Sequence, residues 1–123
     1  MRADADGLPR IGASASTLGA RPGAEQGDIP VEGGMVRPGT GGMSVSPPPP
    51  SNLPLYRRPP EHGGTARKLW LYELDADGLP EGLRLRPDPV DPDRHIFIEP
   101  VREMNIADYQ RALWGTRALW KRV

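Results

Sequence analysis

A chain of 123 residues has room for one small domain with one core, and its 15 Gly and 16 Pro make that domain rich in loops, while three Trp and three Tyr argue against disorder. Lys and Arg (16) balance Asp and Glu (16), which removes the basic field of a nucleic-acid binder, so no nucleic-acid partner is favoured. With no cysteine and two histidines, disulfides, zinc–thiolate sites and thiol catalysis are excluded and little remains to build a metal centre.

No apolar run approaches the roughly 18 to 20 residues of a membrane span, so no membrane partner is expected. The opening residues, Met-Arg-Ala-Asp-Ala-Asp-Gly, carry acids where a signal peptide needs an apolar core. The expected location is the cytoplasm, or export without a cleaved signal into the cytoplasm of a target cell.

Residues 1–34 are mostly Gly, Ala, Ser, Pro and acids, with Ile11, Leu18, Ile29 and Val31 as the candidates for burial, which is thin material for a core. Asp-Ala-Asp-Gly-Leu-Pro at residues 4–9 recurs at residues 75–80. The further oxygen ligands of a calcium loop are missing, so both copies read as Asp-Gly turns closed by proline.

Residues 36–47 are the most constrained stretch. Gly39, Gly41 and Gly42 open backbone angles closed to other residues and would let a ligand approach the main chain. Residues 43–46 alternate apolar and polar, so Ser44 and Ser46 would share one face of a short strand, about 6.6 Å apart. The competing reading is a surface turn and an edge strand stopped by prolines. Arg37 could pair with a phosphate through its planar fork.

The four prolines at 47–50 favour polyproline II, extended over roughly 12 Å. Residues 47–60 are therefore expected to form a rigid crossover loop over a cleft. Residues 68–74, Lys-Leu-Trp-Leu-Tyr-Glu-Leu, read as a central strand. Residues 83–86 alternate strictly, with Leu83 and Leu85 on one face and Arg84 and Arg86 on the other. After the turn-rich residues 87–92, residues 95–99 form another strand closed by Pro100, with His95, Phe97 and Glu99 on one face.

Asn105 is a good N-cap, and Ile106, Tyr109, Leu113, Thr116 and Trp120 fall on one stripe, predicting a helix over residues 106–122, about 25 Å long. Trp114 lies off that stripe, as core or as partner surface.

Spacing pairs no nucleophile with a base. Ser44 and Ser46 suit hydrogen bonds to a sugar or amide, and His95 is either a ligand contact or a structural donor. Glu61, Glu73, Glu99 and Glu103 are the carboxylates on offer.

Thr40-Gly41-Gly42-Met43-Ser44-Val45, then residues 95–100 (His-Ile-Phe-Ile-Glu-Pro), then Met104 before the last helix, together resemble the exported effector two family, the ADP-ribosyltransferase-like toxins of type VI secretion. The resemblance covers roughly residues 28–123. It implies a single α+β domain over residues 1–123, a small split sandwich with Pro/Gly-rich loops and a C-terminal helix. It also implies NAD as substrate, toxicity in the bacterial cytoplasm, and a cognate immunity or antitoxin protein over the site. Whether such a toxin is a secreted effector or half of a toxin–antitoxin pair stays open.

By that resemblance Ser44, His95 and Glu99 are the catalytic candidates, and Arg37, Gly41, Gly42, Ser44 and Ser46 surround the dinucleotide. Val45 stands where related transferases carry the middle Thr of Ser-Thr-Ser, and Met43 where the family carries Thr. Their Glu-x-Glu pair has no counterpart, which leaves Glu99 and Glu103 as the nearest carboxylates. An N-terminal strand with an aromatic-Arg pair is also missing, so an upstream start is expected. The alternative is a non-enzymatic interaction module using the Pro-rich loop and the tryptophans of the C-terminal helix.

Overall fold

The computed structural model describes residues 1–23 and 25–123. In chain order its strands and helix are β1 (Met35–Val36), β2 (Met43–Val45), β3 (Tyr72–Leu74), β4 (Leu83–Pro87), β5 (Ile96–Pro100), β6 (Met104–Asn105), α1 (Ile106–Trp114) and β7 (Trp120–Arg122). Strand β5 is the middle of an antiparallel sheet, β2–β5–β4, while β1 pairs with β6 and β3 with β7. The described residues form a small mixed α/β protein with several antiparallel sheets and one α-helix near the C-terminal end.

Strict alternation in β4 and its antiparallel register with β5 set the two faces of the main sheet. Ser44 lies opposite Phe97, Arg84 opposite Glu99 and Arg86 opposite Phe97, so these five share the outer face. Met43, Leu83 and Ile98 occupy the inner face and pack into one buried cluster with Tyr109 and Leu113 of α1, Val36, Tyr72 and Trp120.

Helix α1 begins as the sequence predicts, with Asn105 Oδ1 accepting the Ala107 N–H at 2.7 Å. It ends at Trp114, short of the expected residue 122. Gly115 closes the last turn onto Arg111, and the Thr116 hydroxyl donates to the Leu113 carbonyl at 2.6 Å. The chain then reverses, and residues 120–122 become β7 against β3. Thr116 and Trp120 are buried through this reversal, the Trp120 indole N–H bonding the Thr116 hydroxyl at 3.0 Å.

The expected central strand over 68–74 is also corrected. Only Tyr72–Leu74 is strand, and it belongs to the outlying pair with β7. Trp70 is 42% exposed, and its backbone N–H and carbonyl are taken by Met1.

The Pro-rich loop is folded rather than extended. It makes three 3-10 turns, Pro50–Asn52, Leu55–Arg57 and Pro60–His62. Proline suits the first position of such a turn, where its missing N–H is not needed. The Asn52 side-chain amide doubles the chain back by donating to the Pro47 and Pro48 carbonyls at 2.9 and 3.2 Å.

The N-terminal segment contributes more core than its composition promised: Leu18, Ala20 and Ile29 have no exposed surface. Side chains from the other end of the chain anchor its backbone. The Gln110 amide donates to the Ala20 carbonyl (2.6 Å) and accepts the Ala20 N–H (3.0 Å), and the Trp114 indole N–H donates to the Gly12 carbonyl (3.1 Å). Both Asp-Ala-Asp-Gly-Leu-Pro copies are turns. The first holds Arg117, whose guanidinium reaches Asp4, Asp6 and the Pro9 carbonyl at 2.8–3.0 Å. Gln110→Leu keeps the size of the side chain but strands a buried backbone donor and acceptor. The expected loss is about 2 kcal/mol in denaturant unfolding, with faster hydrogen exchange at Ala20.

Candidate functional site

The glycine turn packs against its own chain. Gly41 and Gly42 are buried with φ +154° and +158°, and a Cβ on either would collide with a backbone carbonyl, that of Asp28 or of Ile98. Glycine is needed here because protein backbone, not a ligand, comes close, which corrects the expectation of an open cradle. Gly39, in the left-handed region at φ +78°, turns its N–H onto Glu99 Oε1 at 2.9 Å.

Glu99 is the most enclosed ionisable group on the face. Its side chain has no exposed surface, and it accepts from Arg84 Nε at 2.7 Å, Arg86 Nε at 2.6 Å and the Gly39 N–H. Burial alone would push its carboxyl up, but the Gly39, Arg86 and Arg84 donors outweigh that and hold it below the ordinary carboxylate value. Its oxygens are therefore committed to the turn and to β4. Arg86 also lies over the Phe97 ring, 4.7 Å from its centroid.

Arg37 points elsewhere, between Glu103 (3.3 Å) and Glu32 (3.5 Å), with half its side chain in solvent. Exposed pairs of this kind are weak and exchangeable.

Ser44 is exposed beside Phe97, and the register of β2 carries the half-buried Ser46 toward His95. His95 packs edge-on against Phe97, centroids 4.6 Å apart, and its Nδ1 lies 2.8 Å from Asp88 Oδ2. The other Asp88 oxygen accepts the Val90 N–H at 2.9 Å. The His95 bond, then the Val90 N–H, hold the Asp88 carboxyl below its ordinary value. Beyond His95 an open groove of about 560 Å³ runs between the hairpin tip and the Pro-rich loop, lined by Asn52, Leu55, Arg58, Asp88, Arg94 and His95 among others.

The structure thus brings Ser44, Ser46 and His95 to one side of the sheet, next to Phe97. It leaves Gly41 and Gly42 under the sheet edge, Glu99 locked and Arg37 apart. Asp88 was missed because residues 87–92 read as a plain turn; the signal was there, since Asp88 and His95 bracket the hairpin between the two strands. Of the tryptophans read as a partner surface, Trp120 is buried and the Trp114 indole N–H is bonded to Gly12.

No family model, curated protein or solved structure matches the chain. What this face can do follows from its own groups: a ring and two hydroxyls along β2 and β5, and at the hairpin end a carboxylate-oriented imidazole that lines the groove. Among the described residues no group of three or more His, Asp or Glu could hold a metal ion, and no helix is long and apolar enough to cross a membrane.

Proposed function

We propose that this chain is an ADP-ribosyltransferase-like toxin domain that takes NAD as its substrate in the bacterial cytoplasm. The observation that carries the reading is the cross-strand pairing of Ser44 with Phe97, an exposed hydroxyl beside an aromatic ring, with His95 packed edge-on against that ring and lining the groove. A nicotinamide needs an apolar surface for its ring and a hydrogen-bonding partner for its carboxamide, and few polar groups on an apolar wall suffice to orient a ligand. Ser44 and Ser46 supply the polar contacts. Arg37, held between Glu32 and Glu103 away from these groups, would reach a phosphate only by leaving its two exposed carboxylate partners.

Glu99 supports this site from its own face of the sheet: it fixes the glycine turn and the two arginines, and is not free to face a ribose. Cleavage of the bond between nicotinamide and ribose passes through an oxocarbenium-like state, which a site accelerates by holding the dinucleotide in line with its acceptor. A cognate immunity or antitoxin protein would cover the same face.

The reading as a non-enzymatic interaction module keeps one observation in its favour. Leu55 and Tyr56 stand 55% and 67% exposed on the Pro-rich loop, ready to meet a partner protein.

The test is tightly controlled expression in bacterial cytoplasm, following growth and intracellular NAD, for this chain, for a version extended to any upstream start, and for Ser44→Ala in each. Growth arrest with falling NAD is expected, with NAD loss slowed about a hundredfold by Ser44→Ala. Normal growth and steady NAD for every soluble, folded version would overturn the toxin reading. Growth arrest lost in Tyr56→Ala but kept in Ser44→Ala, with NAD unchanged, would establish the module.

A further inference from the structure

Resting on the NAD reading, we propose that the ADP-ribose acceptor is a hydroxyl, from water or an alcohol, and not a guanidinium, and that His95 removes its proton while Asp88 positions the imidazole.

The hairpin holds the two side chains as a preformed pair. The Asp88 N–H donates to the His95 carbonyl at 3.0 Å, and the His95 N–H donates to the Asp91 carbonyl at 2.9 Å. Both Asp88 oxygens are engaged, one by Val90 and one by His95 Nδ1. An ionised carboxylate accepts only, so Nδ1 carries the proton, and in the neutral ring Nε2 is left as the acceptor. His95 lines the groove with its side chain 30% exposed and Asp88 behind it at 18%, the burial order of a base and its orienting group.

The kind of base selects the acceptor. The buried carboxylate of this face, Glu99, is already taken by Arg84, Arg86 and the Gly39 N–H, so the acceptor's proton falls to His95. A guanidinium keeps its charge and its delocalised lone pairs throughout the working range of an imidazole and is a poor nucleophile in that form. A neutral hydroxyl offers a free lone pair and loses its proton as the bond to C1′ forms, which is within the reach of imidazole.

The step balances without any other reactant. The bond between ribose C1′ and the nicotinamide nitrogen breaks, its electron pair leaving with neutral nicotinamide. The acceptor oxygen bonds C1′, and its proton passes to His95 Nε2 and then to solvent.

The experiment incubates the purified chain with NAD and separates the products, with water and added methanol as hydroxyl probes and agmatine as the guanidinium probe. Expected are free ADP-ribose, a methyl ADP-riboside when methanol is present, and no agmatine adduct. ADP-ribose alone assigns water as the acceptor; the methyl riboside extends it to alcohols. His95→Ala should slow the reaction about a hundredfold, and added imidazole should restore part of it, which a merely misfolded variant would not show. Asp88→Asn, which no longer fixes the proton on Nδ1, should lower kcat about tenfold with KM unchanged, because the imidazole then presents Nε2 as an acceptor only part of the time. An agmatine adduct, or an unchanged kcat in Asp88→Asn together with full activity in His95→Ala, would overturn the assignment and leave the NAD reading standing. No NAD turnover by the unaltered chain would overturn both.

Discussion

Replacing Glu99 by alanine is expected to cost about 3 kcal/mol of stability, read from denaturant unfolding at neutral pH. Removing one member of a buried ion pair strands the others, here two guanidinium groups and the Gly39 N–H. The lower end of the usual range applies because Arg84 is half exposed and can turn to water. Glu99→Gln, which keeps an acceptor for Gly39 but loses the charge, should fall between. The pH dependence follows from the lowered carboxyl. Its ordinary value is 4.5 and the folded value lies below that, so the unfolded chain binds this proton more readily than the native one. The contribution is therefore complete above 4.5 and lost as pH falls through the folded value. The gap between the natural chain and Glu99→Ala should close on acidification. A gap of constant size from neutral pH down to well below 4.5 would show that the negative charge is not what holds the turn to the sheet.

What was legible in the sequence is what depends on local period and local punctuation. Leu83-Arg84-Leu85-Arg86 alternates, as a strand with two unlike faces must, and the proline after Glu99 closes β5. Asn105 capped a helix because its short side chain competes locally for a backbone N–H. The glycine turn and the serine strand that follows it were legible for the same reason, although the purpose of Gly41 and Gly42, packing against distant carbonyls, was not.

The rest was set by register and by long-range anchoring. That Glu99 faces Arg84 depends on how β4 slides along β5, and a one-residue slip would have sent those side chains to opposite faces. The pairing of Asp88 with His95 depends on the same register. The helix stops at Trp114, although Thr116 and Trp120 continue its stripe, because the Thr116 hydroxyl and the β3 backbone offer residues 115–123 better partners than another helical turn. The N-terminal segment looked too polar to be core because its anchors, Gln110 and Trp114, lie some 90 to 102 positions away. A handful of apolar side chains become core when a distant side chain satisfies the backbone between them.

Tyr109→Phe is expected to cost about 2 to 3 kcal/mol, although it leaves the buried ring in place. The Tyr109 hydroxyl sits within the ladder between β2 and β5, donating to the Ile98 carbonyl at 2.5 Å and accepting the Met43 N–H at 3.0 Å. Tyr109 has no exposed surface, so no water replaces the hydroxyl, and both backbone groups lose their partner at once. Burial pushes the phenol well above its ordinary 10.0, against the smaller opposing effect of the Met43 N–H, so it remains a donor across the whole working range. The consequence reaches the opposite face of the sheet. Met43 is the first residue of a three-residue strand whose next residue is Ser44, and loosening its pairing with Ile98 loosens the placement of Ser44 against Phe97. Amide exchange at Met43 should therefore quicken in Tyr109→Phe more than exchange in the β4–β5 ladder, and NAD turnover should fall even at temperatures where the variant is fully folded. Uniform quickening in both ladders would mean that the hydroxyl contributes only to global stability; selective quickening would identify a helix side chain as the part that holds the serine strand in register.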